Sequence, residues 1–166
     1  QLMAGLWDHE GLYDRILPHA DAIIESFPES FVGYVLKGDA YLELGAFEEA
    51  RANYKNVLKQ QQQEESKNES AKDRVRVLHQ KIGMTWWKQE NYLKAYRAFL
   101  KGIDVFSPTA TLQDLYHLGM SALRSGKNRQ AYAFLVYLRD YRIPPEEDAL
   151  RQQVEAVLAQ LEENKH

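Results

Sequence analysis

Gly38-Asp-Ala-Tyr-Leu-Glu-Leu-Gly-Ala-Phe-Glu-Glu-Ala50 is the stretch that decides the fold. It reads as a helix, a tight turn at Gly45 and the start of a second helix. Gly38 and Ala50 are small residues at facing positions, which lets two helix axes approach closely. Tyr41 and Phe47 are expected to supply the buried aromatic area that holds them together. Gly45 breaks the first helix, because glycine takes the left-handed cap conformation without steric cost. Glu48 and Glu49 fall in the first turn of the second helix, where the dipole favours negative charge. Neither helix alone can bury its apolar stripe, so the hairpin must stack on neighbours.

With Tyr34 and Tyr54 added, the spacing Gly38, Tyr41, Gly45, Phe47, Ala50 resembles the tetratricopeptide repeat, a helix-turn-helix unit of about 34 residues. Other copies align with it. An earlier one holds Ala4, Trp7, Gly11, Tyr13, Ile16, Ala20 and Ile23, closed by Pro28. A later one starts near Arg76 with Gly83, Trp86, Tyr92, Ala95, Phe99 and Gly102, and Glu90 stands where the turn glycine belongs. The last starts near Leu112 with Leu115, Leu118, Gly119, Ala122, Gly126, Ala131, Leu135 and Leu138, and Asn128 replaces its turn aromatic.

The resemblance implies an all-α fold: a right-handed superhelical array of antiparallel helix pairs, an α-solenoid, in one domain over residues 1–166. Repeats fall at about 1–30 (partial), 31–64, 76–109 and 112–145, followed by a capping helix at 146–163. An insertion, residues 65–75, separates the second and third repeats, and lengthened helices joined by a mobile loop are expected there. Ser70 with Asp73, and Thr111 with Asp114, read as capping boxes. The first ten residues are expected to end a helix near Gly11. The next helix is expected over Leu12–Phe27, with Pro18 pushing its true start toward Ile16. Pro144-Pro145-Glu-Glu-Asp148 reads as a helix entry. Beyond it, Leu150, Val154, Val157, Leu158 and Leu161 form one apolar stripe of a polar-backed cap.

In the tetratricopeptide family the first helices of successive pairs line a concave groove that holds partner peptides or helices. Register then implies Val32, Val35, Asp39, Leu42 and Glu43 from the central repeat. The third pair gives Val77, Gln80, Met84, Trp87 and Lys88, and the fourth gives Gln113, Tyr116, Met120, Leu123 and Arg124. The truncated first repeat offers Gly5, Asp8 and His9. Consecutive helix residues point about 100° apart, so Trp86 is expected in the core and Trp87 in the groove as the partner's anchor. The lysine–asparagine clamp that some family members use for chaperone tails is absent: its positions read Val35 and Asp39, then Lys81, then Gln113 and His117.

Composition narrows the function. The chain of 166 residues has no cysteine, which excludes disulfides and thiolate chemistry. Neither a phosphate-binding glycine loop nor a zinc-protease signature occurs. His79 and His117 sit on different repeats with no carboxylate at ligand spacing, so no enzyme, cofactor or metal is expected. Asn68-Glu-Ser70 spells a glycosylation sequon of the kind that arises by chance. The net charge of −3 is unevenly spread: −7 over residues 1–70, +8 over 71–145 and −4 beyond. Lys72, Arg74, Lys94, Arg97, Lys101, Arg129, Arg139 and Arg142 are dispersed over two repeats, so nucleic acid is not the expected partner. No apolar run is long enough to span a membrane. Lack of cysteine fits the cytoplasm first and a periplasm second. The chain opens at Gln1 with a helix under way, as expected of a fragment or processed product. The expected function is a protein-interaction scaffold. The alternatives are a chaperone for secreted hydrophobic proteins, since small bacterial secretion chaperones are similar in length and helix count, or a subunit that self-associates as a homo-oligomer.

Overall fold

The computed structural model describes the backbone of residues 2–64 and 68–163, with side chains from Gly11 onward. Among the described residues there are eight α-helices and no strand. They are α1 (Leu2–Ser26), α2 (Phe31–Glu43), α3 (Phe47–Glu64), α4 (Glu69–Lys88), α5 (Tyr92–Gly102), α6 (Leu112–Arg124), α7 (Asn128–Tyr137) and α8 (Asp148–Glu163). A π-helical segment, Leu138–Arg142, continues α7. Each helix packs chiefly on the helices before and after it in the chain, the contact order of a helical repeat.

Three helix pairs, α2–α3, α4–α5 and α6–α7, close with the same turn. In the first, the Gly45 N–H donates to Leu42 O and the Ala46 N–H to Tyr41 O. Glu90 with Asn91, and Gly126 with Lys127, donate in the same pattern to Trp87 with Trp86, and to Leu123 with Ala122. This pairing satisfies the carbonyls that a helix end leaves open. Gly45 and Gly126 both have φ 77°, and Glu90 holds φ 58°. The non-glycine residue therefore keeps the turn that glycine makes in the other two pairs.

The interior of each pair also repeats. A Cβ on Gly38 would lie 2.5 Å from the Tyr54 ring, one on Gly83 2.5 Å from Phe99, and one on Gly119 2.8 Å from Leu135. Ala50, Ala95 and Ala131 are fully buried beside these contacts. The small residue lets the partner helix seat its large side chain against bare backbone.

Several boundaries differ from expectation. α1 runs unbroken through Gly11 and Pro18. A helix tolerates both here because Gly11 and Asp14 are exposed, so the Asp14 carbonyl that Pro18 cannot serve meets water. The first repeat is thus one long helix packed on α2, not a hairpin. α4 starts at Glu69 and is capped by Asn68, whose side chain accepts the Ser70 N–H at 2.9 Å. Ser70 is therefore not a cap; its hydroxyl accepts from Arg74 instead. Helices do lengthen around the insertion, while residues 65–67, where the mobile loop was expected, lie outside the described residues. α5 stops at Gly102, short of Phe106. The Thr111–Asp114 capping box is present in both directions, at 3.1 and 2.9 Å. The double proline forms a turn, with the Glu147 N–H on Pro144 O, and α8 begins at Asp148.

α8 buries Val154, Leu158 and Leu161 in the core shared by α5, α6 and α7. It packs on α7 and the π segment, and its polar edge reaches α6 through Gln153, which donates to the Tyr116 hydroxyl at 2.8 Å.

Candidate functional site

Two consecutive tryptophans on α4 divide the molecule. Trp86 faces α3 and α5: the Arg51 guanidinium lies 3.6 Å and the Lys94 ammonium 4.3 Å from the ring centroid. Arg51 is buried at 6% exposure and donates to Thr85 Oγ1 at 3.1 Å and Gln89 Oε1 at 2.5 Å. Burial pulls its pKa down, and the charge of Glu48 partly offsets this. Trp87 faces the other way. Its ring meets Tyr92 edge-on at 5.3 Å and His117 at 4.8 Å, with the Arg124 guanidinium at 5.1 Å. Arg124 also donates to the Tyr92 hydroxyl at 2.7 Å.

Three sets stand out among the residues expected to line a groove. Asp39 and Lys88 are tied into cross-helix ion pairs. Asp39 accepts from Lys81 at 2.7 Å and from Tyr54 at 2.7 Å, and Lys88 pairs with Glu43 at 3.7 Å. Tyr54 is thereby held as a phenol: burial raises its pKa first, and the Asp39 hydrogen bond raises it further. Leu42, Met84, Trp87, Tyr116 and Leu123 are half-buried and pack against the two core clusters. Met120 is buried outright, 7% exposed, in the α6 core. The large apolar side chains expected in the groove are thus only partly open, because they pack against the adjoining core clusters. Gly5, Asp8 and His9 fall where side chains are not described.

Open apolar surface lies instead toward the N-terminal half of α4. A cavity of about 240 Å³ between α2 and α4 is walled by Phe31, Val35, Val57, Val77 and Leu78, with Arg74 and Lys81 at its rim. Val32 and Val77 are about half exposed. A second, more polar cavity of about 430 Å³ adjoins it across α4, sharing Asp73 and Val77 and reaching Ser107, Thr109 and Asp114. Sequence reasoning named Val35 and Val77 as lining residues. It missed Phe31 and Val57, whose contribution depends on how far α2 and α4 splay.

His117 sits between Trp87 and Phe99, whose ring stacks on it at 6.0 Å. Burial lowers its pKa, against the opposing charge of Asp114. Among the described residues no cluster of three or more metal-ligating side chains occurs, and no helix is long and apolar enough to cross a membrane. No family model matches the chain, and no curated protein matches it.

Proposed function

We propose that the chain is a non-catalytic protein-interaction scaffold of the tetratricopeptide type. In this reading the helix pairs form a right-handed array whose concave side is the face of α2, α4 and α6. That face takes an apolar or amphipathic segment of a partner protein. The apolar cavity between Phe31, Val35, Val57, Val77 and Leu78 carries the reading, because exposed concave apolar surface marks binding sites. The thrice-repeated turn and the close contact of a glycine with a large side chain in each pair support the family assignment. The cavity replaces Trp87 as the first anchor, since the indole already has ring or cation neighbours from Tyr92, His117 and Arg124.

Affinity capture from a native extract tests it, comparing wild type with Val77→Asp and Trp87→Ala at low and high salt. Val77 is half exposed on a helix surface, so its replacement leaves the fold intact by circular dichroism. A partner retained by wild type in high salt should be lost with Val77→Asp, a loss of about 2 kcal/mol or more for an anchor position. A partner held equally by Val77→Asp would sink the cavity reading. Retention of only the protein itself, and only at low salt, would put self-association in its place.

A further inference from the structure

α4 has a second open side. Opposite the apolar cavity, α3, α4 and α5 enclose a cavity of about 260 Å³. Its rim is Lys55, Lys94, Arg97 and Lys101, all exposed, with His79 beside them. Its floor is apolar: Leu58, Ile82 and the edge of Trp86. None of the residues lining it is acidic. Among the described residues no carboxylate pairs with Lys55, Lys94, Arg97 or Lys101. The three α5 cations recur at i, i+3 and i+7, so they share one helix face. Leu93 and Leu100, 38% and 46% exposed, interleave with them on the same helix.

From this geometry we infer a second binding site, for an acidic peptide segment of a partner protein that carries an apolar side chain among its carboxylates. Four cations near one another, with no ion-pair partner among the described residues, raise the local potential and draw anions. A purely ionic ligand would leave the exposed Leu93 and Leu100 unmatched, so the fitting ligand is amphipathic. A nucleic acid fits less well. The usual aromatic platform for a base would be Trp86, and Arg51 and Lys94 already lie over that ring. The site is separate from the α2–α4 cavity and depends on charge where that one depends on apolar area.

The test is fluorescence anisotropy with a labelled synthetic peptide of glutamates around one central leucine. The same peptide with glycine in place of leucine, and a single-stranded oligonucleotide of equal charge, serve as comparisons. The triple variant Lys55→Glu, Arg97→Glu, Lys101→Glu changes only exposed side chains that have no ion-pair partner among the described residues, and circular dichroism checks that it is folded. We expect the leucine peptide to bind wild type at about 0.1 M salt, where screening acts over about 10 Å, and to weaken at least about tenfold in the variant. The glycine peptide should bind several-fold more weakly, and Val77→Asp should bind like wild type. Three outcomes overturn the proposal: equal binding by the triple variant, equal binding of the glycine peptide, or tighter binding of the oligonucleotide. Sedimentation of the unliganded protein adds a fourth. Salt-sensitive self-association abolished by the triple variant would assign the patch to a second copy of the chain.

Discussion

The joint between α3 and α4 and the joint between α5 and α6 do the same task with different chemistry. At the first, a buried cation does the joining: Arg51 spans from α3 to Thr85 and Gln89 and lies over Trp86. At the second, rings do it: Trp87 and Phe99 enclose His117. Inside the helix pairs there is no such variety, since a glycine meets a large side chain in all three. The repeat therefore fixes the pairs, and each joint is solved separately. α4 supplies one tryptophan to each joint, which makes it the helix on which both halves depend.

The largest expected effect breaks the first joint alone. Arg51→Ala removes two hydrogen bonds from a charged donor, strips the guanidinium from Trp86 and leaves Thr85 and Gln89 without that donor. It should cost about 2–3 kcal/mol in urea unfolding. Arg51→Met keeps most of the volume and needs no partner, so it should recover part of the loss. Equal cost for both variants would show that the hydrogen bonds, rather than the packing, hold the joint.

Next in size is a pair of glycine substitutions with opposite signs. In Gly83→Ala the new methyl meets Phe99 at 2.5 Å, and that ring is buried against His117 with little room to move. Overpacking of about 1–3 kcal/mol outweighs the helix propensity of alanine, about 1 kcal/mol. Gly11→Ala meets nothing within 4 Å among the described residues, on an exposed helix face. It should stabilise by up to about 1 kcal/mol. Thermal unfolding of the two variants measures both signs, and a stabilising Gly83→Ala would undo the close-contact account of the pairs.

This contrast also explains what the chain discloses by itself. The small residues Gly38 and Ala50 and their later equivalents were legible because their places are set by local spacing within one hairpin, whereas the buried aromatic was expected to be Tyr41 and Phe47, both half-buried, and is Tyr54. The capping box at Thr111 was legible for the same reason. Arg51 was not: on α3 it reads as a surface cation, and its burial arises from Thr85 and Gln89, far along the chain. α1 misled because glycine and proline usually punctuate helices, while here both lie on solvent-facing positions that tolerate them. Of the candidate site, Val35 and Val77 followed from register. Met120 did not, because its burial depends on how closely α6 is packed.

A smaller effect sharpens the comparison at the turns. Glu90 occupies the left-handed position that Gly45 and Gly126 fill elsewhere. A side chain there costs about 1–2 kcal/mol, and glycine gives back part of the gain through its freer unfolded chain. Glu90→Gly should raise stability by about 0.5–1 kcal/mol with no change in the hydrogen-bond pattern. An unchanged or lowered melting temperature would mean that the Glu90 side chain contributes something the turn geometry does not reveal.

The smallest effect is a pH slope confined to the aromatic joint. His117 has its pKa lowered in the folded chain, chiefly by burial, with Asp114 opposing. The unfolded chain therefore takes up a proton first as pH falls through about 6.5. Linkage then fixes the sign: the contribution of the neutral imidazole is fully present above that pH and is lost as pH falls from it toward the folded value. The shifted carboxylates Glu69 and Asp140 move below the ordinary carboxylate range and leave this window clear. Urea midpoints at about pH 7.5 and about pH 5.5 should show wild type losing stability at the lower value. His117→Phe keeps a ring between Trp87 and Phe99 and has no proton to take, so it should lose less over the same interval. Arg51→Met, at the other joint, should keep the wild-type slope. If His117→Phe also keeps it, the titration belongs to another histidine, and the two joints no longer differ in their response to acid.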